Sequence, residues 1–308
     1  MKHYISRWPS YQGDLHFKCR NNAERRGGGV SGHLSISFVP LMAREGSRLG
    51  VGGERNRGGL LSSASGLNII QQLAGKVLKD YPAFNEYDRK RAQVLEELRN
   101  LNLLTKDDIE EYQMVFFSLY SECQRRFDFF TSWNPECLKP RDSPSMPTLI
   151  HFAVGSRAGG GNEKSFEMAF KAGMKYFPEH LGFLFCKWEQ ITAIKKTFDK
   201  FGVDKAMNII RKGISPSDNH LILHRAIEDA PDLVDAIAQY YPDAVFLRDS
   251  NDHTFMQSKF YIYLQRGRKT FKKKSTFFLG ATDDQVNRVD PKTGLCPFML
   301  AAVDNKSD

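Results

Sequence analysis

The residues Pro147-Thr148-Leu149-Ile150-His151-Phe152-Ala153-Val154 decide the fold, because the chain repeats them in altered form. The variants are Leu221-Ile222-Leu223-His224-Arg225-Ala226-Ile227, His253-Thr254-Phe255-Met256-Gln257-Ser258-Lys259, and Gly294-Leu295-Cys296-Pro297-Phe298-Met299-Leu300-Ala301-Ala302. Their marker positions 153, 226, 259 and 301 are separated by 73, 33 and 42 residues. A fixed period of about 20–50 residues is the sign of a repeat architecture. The interval of 33 sets the unit, and 42 is that unit with nine residues inserted. The interval of 73 leaves room for a degenerate unit around Leu181 to Cys186. A short helix pair hides its apolar face only against a neighbour, so each unit needs small and apolar residues at fixed places and a tight polar turn between units.

Neighbouring residues agree with this unit. Asp249 stands five residues before Thr254, and Asp290-Pro291-Lys292-Thr293-Gly294 repeats that arrangement with one residue more. Asp232 to Tyr241 has the spacing of a second helix, with Pro242 as its stop. On these residues, 146–303 resemble ankyrin repeats in a divergent form, the segments being variants of the TPLHxA signature that opens each repeat. Asp290 to Val303, Leu223 to Ile227 and the tract around Gly155-Ser156-Arg157 look especially like uncharacterised ankyrin-like proteins of diatoms. The resemblance gives His151, Ala153, His224, Ala226, Asp249, Thr254, Asp290, Gly294, Pro297 and Ala301 structural roles in the repeats. It implies a helical solenoid whose concave face binds other proteins without catalysis. Only His151 and His224 keep the signature histidine, and the full TPLH never occurs. The sequence stops five residues after Val303, so the last repeat of the 146–308 region is expected to be incomplete.

Upstream, residues 65–140 read as helical. Leu67, Ile69, Ile70, Leu73, Val77 and Leu78 fall on one helical face before Tyr81-Pro82. A second helix from about Glu86 places Leu95, Leu98 and Leu101 on one side and many charges on the other. Thr105 followed by Lys106-Asp107-Asp108 reads as an N-cap with carboxylates in the first turn, where the helix dipole favours them. A third helix, from Ile109 through Met114 and Leu119, runs towards Trp133. The fold class expected is all-α.

Residues 1–64 differ in composition. The first 66 residues carry ten Lys/Arg and four Asp/Glu, so six of the eight net positive charges lie there. Arg25-Arg26-Gly27-Gly28-Gly29 and Arg57-Gly58-Gly59 mark a Gly/Arg/Ser-rich stretch whose scattered apolar residues cannot offset backbone ordering entropy. A disordered basic tail is the expectation. A second basic cluster, Arg266, Arg268, Lys269, Lys272, Lys273 and Lys274, coincides with the nine-residue insertion and is interleaved with Phe271.

Chemistry finds little purchase. Gly155 to Ser165 imitates a phosphate loop, but Glu163 stands before Lys164 where a P-loop requires glycine, and a carboxylate there repels phosphate. His220, His224 and Glu228 are spaced along one helical face as metal ligands would be, but His224 is the signature histidine of the repeat. No HExxH or GxSxG occurs, and no cysteine pairs with a histidine in sequence. Neither catalysis nor a cofactor nor a metal is expected. The five cysteines form no CxxC pair, no apolar run reaches the ~18 residues of a membrane span, and Met1 to Gln12 lacks a signal-peptide core. The expectation is an intracellular scaffold, cytoplasmic or nuclear, that binds protein partners through the solenoid. The alternative is nucleic-acid binding through the Arg/Gly tail and the 266–274 cluster.

Overall fold

A computed structural model of the chain describes residues 2–5, 15–20, 30–34, 39–50, 54–61, 67–75, 84–140, 147–155, 161–214, 219–241, 289, 294–296 and 299. They are mostly helical, with little strand. Two compact units are present, Met1–Lys139 with Ala158–Met168, and Pro140–Arg157 with Ala169–Asp308.

In the first unit, the described residues within 1–64, where a disordered tail is expected, include strands and a helix. Strands β1 (Lys2–Ile5), β2 (Leu15–Arg20) and β3 (Val30–Leu34) form an antiparallel sheet in that order, with Lys2 opposite Arg20 and Leu15 opposite Leu34. Leu15-His16-Phe17-Lys18-Cys19-Arg20 alternates apolar and polar residues with a strand's period of two, a signal hidden by the average composition. Helix α1 (Val39–Arg48) follows, then a 3₁₀ turn at Glu54–Gly59, with Val39, Ala43 and Leu60 buried. Gly58 has φ +69°, and a Cβ there would stand 2.0 Å from the Ala43 carbonyl oxygen. A Cβ on Gly46 would stand 2.6 Å from the Gly58 oxygen. Glycines that read as linker composition are, at these two positions, what lets helix and turn touch.

Helices α2 (Ile69–Ala74), α3 (Phe84–Asn100), α4 (Lys106–Glu111), α5 (Met114–Tyr120) and α6 (Gln124–Trp133) complete the unit's core, with α3 and α5 packing on α6 and α2 on α3 and α5. The single third helix expected from Ile109 to Trp133 is broken at Gln113 and Glu122, whose φ values of +52° and +53° no right-handed helix admits. The acidic cap is present in a modified form. Thr105 donates both its backbone N–H (2.6 Å) and its hydroxyl (2.9 Å) to Asp108 Oδ2, which also takes the Arg57 guanidinium.

The charges of α3 are not all on a solvated side. Asp88 and Arg91 are buried together with Leu95 and Leu98, whereas Leu101 is exposed. Arg91 donates from Nη1 to the carbonyls of Gln72 (2.8 Å) and Gly75 (3.0 Å). Arg126, on α6, donates from Nη1 to Leu73 (2.7 Å), Ala74 (3.0 Å) and Gly75 (2.5 Å), and from Nε to Asp88 Oδ1 (2.7 Å). The C-terminal carbonyls of a helix have no partner within it and carry its negative dipole end. α2 has no basic residue in its own last turn, so two buried guanidinium groups from elsewhere satisfy it.

The second unit begins with α7 (Leu149–Val154), opened by Thr148, whose hydroxyl accepts the His151 N–H. Helix α8 (Glu163–Tyr176) follows, its residues to Met168 belonging to the first unit and the rest to the second. The degenerate unit expected around Leu181 to Cys186 is corrected. A 3₁₀ turn (Pro178–Phe183) lies there, with Leu181 and Gly182 left-handed, and a Cβ on Gly173 would stand 2.8 Å from Gly182 Cα. The additional helix pair comes later: the hairpin β4 (Lys187–Trp188) and β5 (Ile191–Thr192), then α9 (Ala193–Phe201), which joins α10 (Val203–Gly213) through Gly202. Thr192 caps α9 as Thr148 caps α7, and α7 packs on α9 and α9 on α10. A third pair, α11 (Asn219–Asp229) and α12 (Val234–Ala238), turns at Pro231 and matches the expected second helix over Asp232 to Tyr241.

Candidate functional site

The hairpin between α8 and α9 is the part of the second unit in which chemistry-bearing side chains meet. Its tip is Glu189-Gln190, with φ +51° and +66°. Two consecutive left-handed residues make the primed turn that matches strand twist, normally a place for Asn-Gly. Neither residue here is glycine, so the tip carries strain of about 1 kcal/mol or more per residue. Ile191, beside it, is 41% exposed.

The hairpin is tied down from behind. His151 is fully buried, and its Nε2–H donates to the Ile191 carbonyl at 2.9 Å. A carbonyl only accepts, so the proton sits on Nε2 and Nδ1 of the neutral ring accepts from the Thr148 hydroxyl at 2.6 Å. Trp188 lies edge-on to the imidazole at 6.0 Å, with the Lys196 ammonium 4.9 Å above the indole. Burial drives the His151 pKa down to about 4, opposed by the bond to Ile191 and aided slightly by Lys196.

That depression makes stability depend on pH. The unfolded imidazole titrates near 6.5. The neutral buried ring therefore contributes fully above that pH and loses its contribution as the pH falls towards 4. Between pH 7.5 and 5 the loss is on the order of 2 kcal/mol. His151→Gln keeps a side-chain donor without a titrating group, so urea unfolding at both pH values should show the wild type losing about that much more than the variant. Equal losses would show that His151 is not held neutral.

Fold and chain distance also bring together a pair that sequence spacing hid. Cys186 Sγ lies 3.9 Å from His151 Nδ1 and 3.5 Å from the Thr148 hydroxyl. A thiol beside an imidazole suggests a nucleophile and its base, but the electrostatics oppose that chemistry. Burial pushes the Cys186 thiol up to about 11, and Nδ1 already accepts from Thr148. A thiol and a base that both stay neutral at pH 7 supply neither thiolate nor imidazolium. The arrangement is a hydrogen-bonded chain that fixes the hairpin on α7.

The other sequence candidates are placed as follows. Ala153 and Ala226 are buried on α7 and α11. His224 is buried too, but five residues inside α11, where His151 is the third residue of α7. Gly294 is left-handed with φ +68°. Asp249, Thr254, Asp290, Pro297 and Ala301, the basic cluster Arg266, Arg268, Lys269, Lys272, Lys273 and Lys274, and the ligand candidate His220's side chain lie outside what is described. Of the phosphate-loop lookalike, Lys164 stands 4.0 Å from buried Glu122, which also takes the Asn162 side-chain amide. Among the described residues no group of three or more His, Cys, Asp or Glu is arranged to hold a metal ion, and no helix is long and apolar enough to cross a membrane.

No family model matches the chain, and neither a curated protein nor a solved structure matches it.

Proposed function

We propose that the chain is a non-catalytic interaction scaffold that binds protein partners through ankyrin-like helix pairs, inside the cell in cytoplasm or nucleus. The observation that carries this reading is the His151 tie. A threonine caps α7, the histidine three residues on bonds that threonine, and the far side of its ring holds the Ile191 carbonyl in the hairpin that follows α8. That is the task the signature histidine has in ankyrin repeats, and it spends the imidazole on architecture. The neutral Cys186 and the carboxylate beside Lys164 favour binding over catalysis in the same way.

The test uses the full chain, immobilised and exposed to native lysate with and without nuclease, beside a variant with Arg266, Arg268, Lys269, Lys272, Lys273 and Lys274 all changed to Gln. The same proteins captured in every arm support the scaffold. Capture that vanishes with nuclease, or with the six substitutions together with a steep loss in added salt, overturns it in favour of nucleic-acid binding.

A further inference from the structure

Helix α2 shares more with α7 and α9 than its sequence suggests. Each is opened by a side-chain cap that accepts the N–H three residues on: Asn68 from Gln71 (2.8 Å), Thr148 from His151 (3.4 Å) and Thr192 from Lys195 (3.4 Å). In all three the cap and the first, second, fifth and sixth residues after it are buried. The approach is shared as well. A left-handed glycine, Gly58 or Gly182, precedes the cap of α2 or α9 by ten residues and fits against a glycine of the helix before it. Two residues after that glycine, a buried leucine offers its carbonyl to the new helix: Leu60 to Ile69 N–H at 3.0 Å, and Leu184 to Ile194 N–H at 2.8 Å.

The third residue after the cap completes the correspondence. Gln71 Nε2 donates to the Tyr112 carbonyl at 3.5 Å, 41 residues ahead, and His151 Nε2 donates to the Ile191 carbonyl at 2.9 Å, 40 residues ahead. We infer that Asn68–Ala74 is a repeat-opening helix of the same kind, with Asn68 in the place of the threonine and Gln71 in the place of the histidine, so that repeat units occur in the first unit as well as the second. Asn caps a helix as well as threonine does, and an amide N–H reaches a carbonyl much as an imidazole N–H does. This extends the proposed scaffold and rests on that reading, since it adds residues from 68 onward to the repeats through which partners would bind.

The experiment is a register test in the full chain. Asn68–Ala74 is replaced by the sequence of residues 148–154 in one variant and by that of 149–155 in a second, with Gln71→Ala as a third. The in-register graft brings cap, buried positions and donor to matching places and should unfold in one cooperative transition, its Tm at least ~10 °C above that of the shifted graft. Gln71→Ala should lower Tm by about 3–6 °C. Grafts that melt alike, whether folded or unfolded, overturn the inference, and so does a Gln71→Ala chain as stable as the wild type. These are folding readouts, so their failure leaves the capture experiment to be decided on its own.

Discussion

Arg126→Met is expected to destabilise the first unit by about 4 kcal/mol, the cost of removing one partner from a buried, hydrogen-bonded ion pair. The arginine is 0% exposed and holds Asp88, itself buried, together with three carbonyls at the end of α2. Methionine fills much of the volume but donates nothing. The Asp88 carboxylate is then left with the Arg125 N–H at 3.1 Å, and α2 keeps only the two bonds from Arg91. Urea unfolding followed by far-ultraviolet circular dichroism measures the loss. Asp88→Asn/Arg126→Met should recover part of it, because the uncompensated charge is gone. A double variant no better than the single one would show that the lost carbonyl bonds, not the ion pair, set the cost.

A chain beginning at Leu67 is the second large effect. Composition presents residues 1–66 as a basic stretch rich in Gly, Arg and Ser, but their removal takes away buried Leu60, the carbonyl that accepts the Ile69 N–H, and the Arg57 guanidinium on buried Asp108. Burial of one leucine contributes about 2 kcal/mol, and leaving a buried carboxylate without its partner costs about 3 kcal/mol. The shortened chain should therefore lose the cooperative unfolding transition of the first unit in urea and become sensitive to limited proteolysis between residues 84 and 139. Gly58→Val places a Cβ against the Ala43 carbonyl and should produce the same phenotype in the full chain. A shortened chain with the midpoint of the full one would show that residues 39–61 add nothing to the stability of the unit.

The start of helix α7 was legible because its pattern is local. Thr148, His151 and Ala153 lie within one turn and a half of helix, so spacing alone places cap, donor and packing face together. The boundaries of the units were less so. The helix pair α9/α10 opens on Thr192-Ala193-Ile194-Lys195, where a capping threonine has no histidine three residues on. The hairpin that His151 holds was not legible, since its partner carbonyl is 40 residues away. Cys186 came within 3.9 Å of His151 for the same reason, and its neutrality follows from burial, which no spacing records.

From its sequence alone the chain declares helices over most of 65–241 and a net positive charge concentrated at the amino-terminal side, because these depend on periodicity and on composition. What the tertiary structure decided is which polar groups are buried and what they meet. Arg91 and Arg126 look like solvated helix charges and instead complete α2; Gly46 and Gly58 look like slack and instead allow a close contact. The physical reason is common to both: a buried charge or a missing side chain acquires its meaning only from the atoms opposite it, and those come from residues far away in the chain.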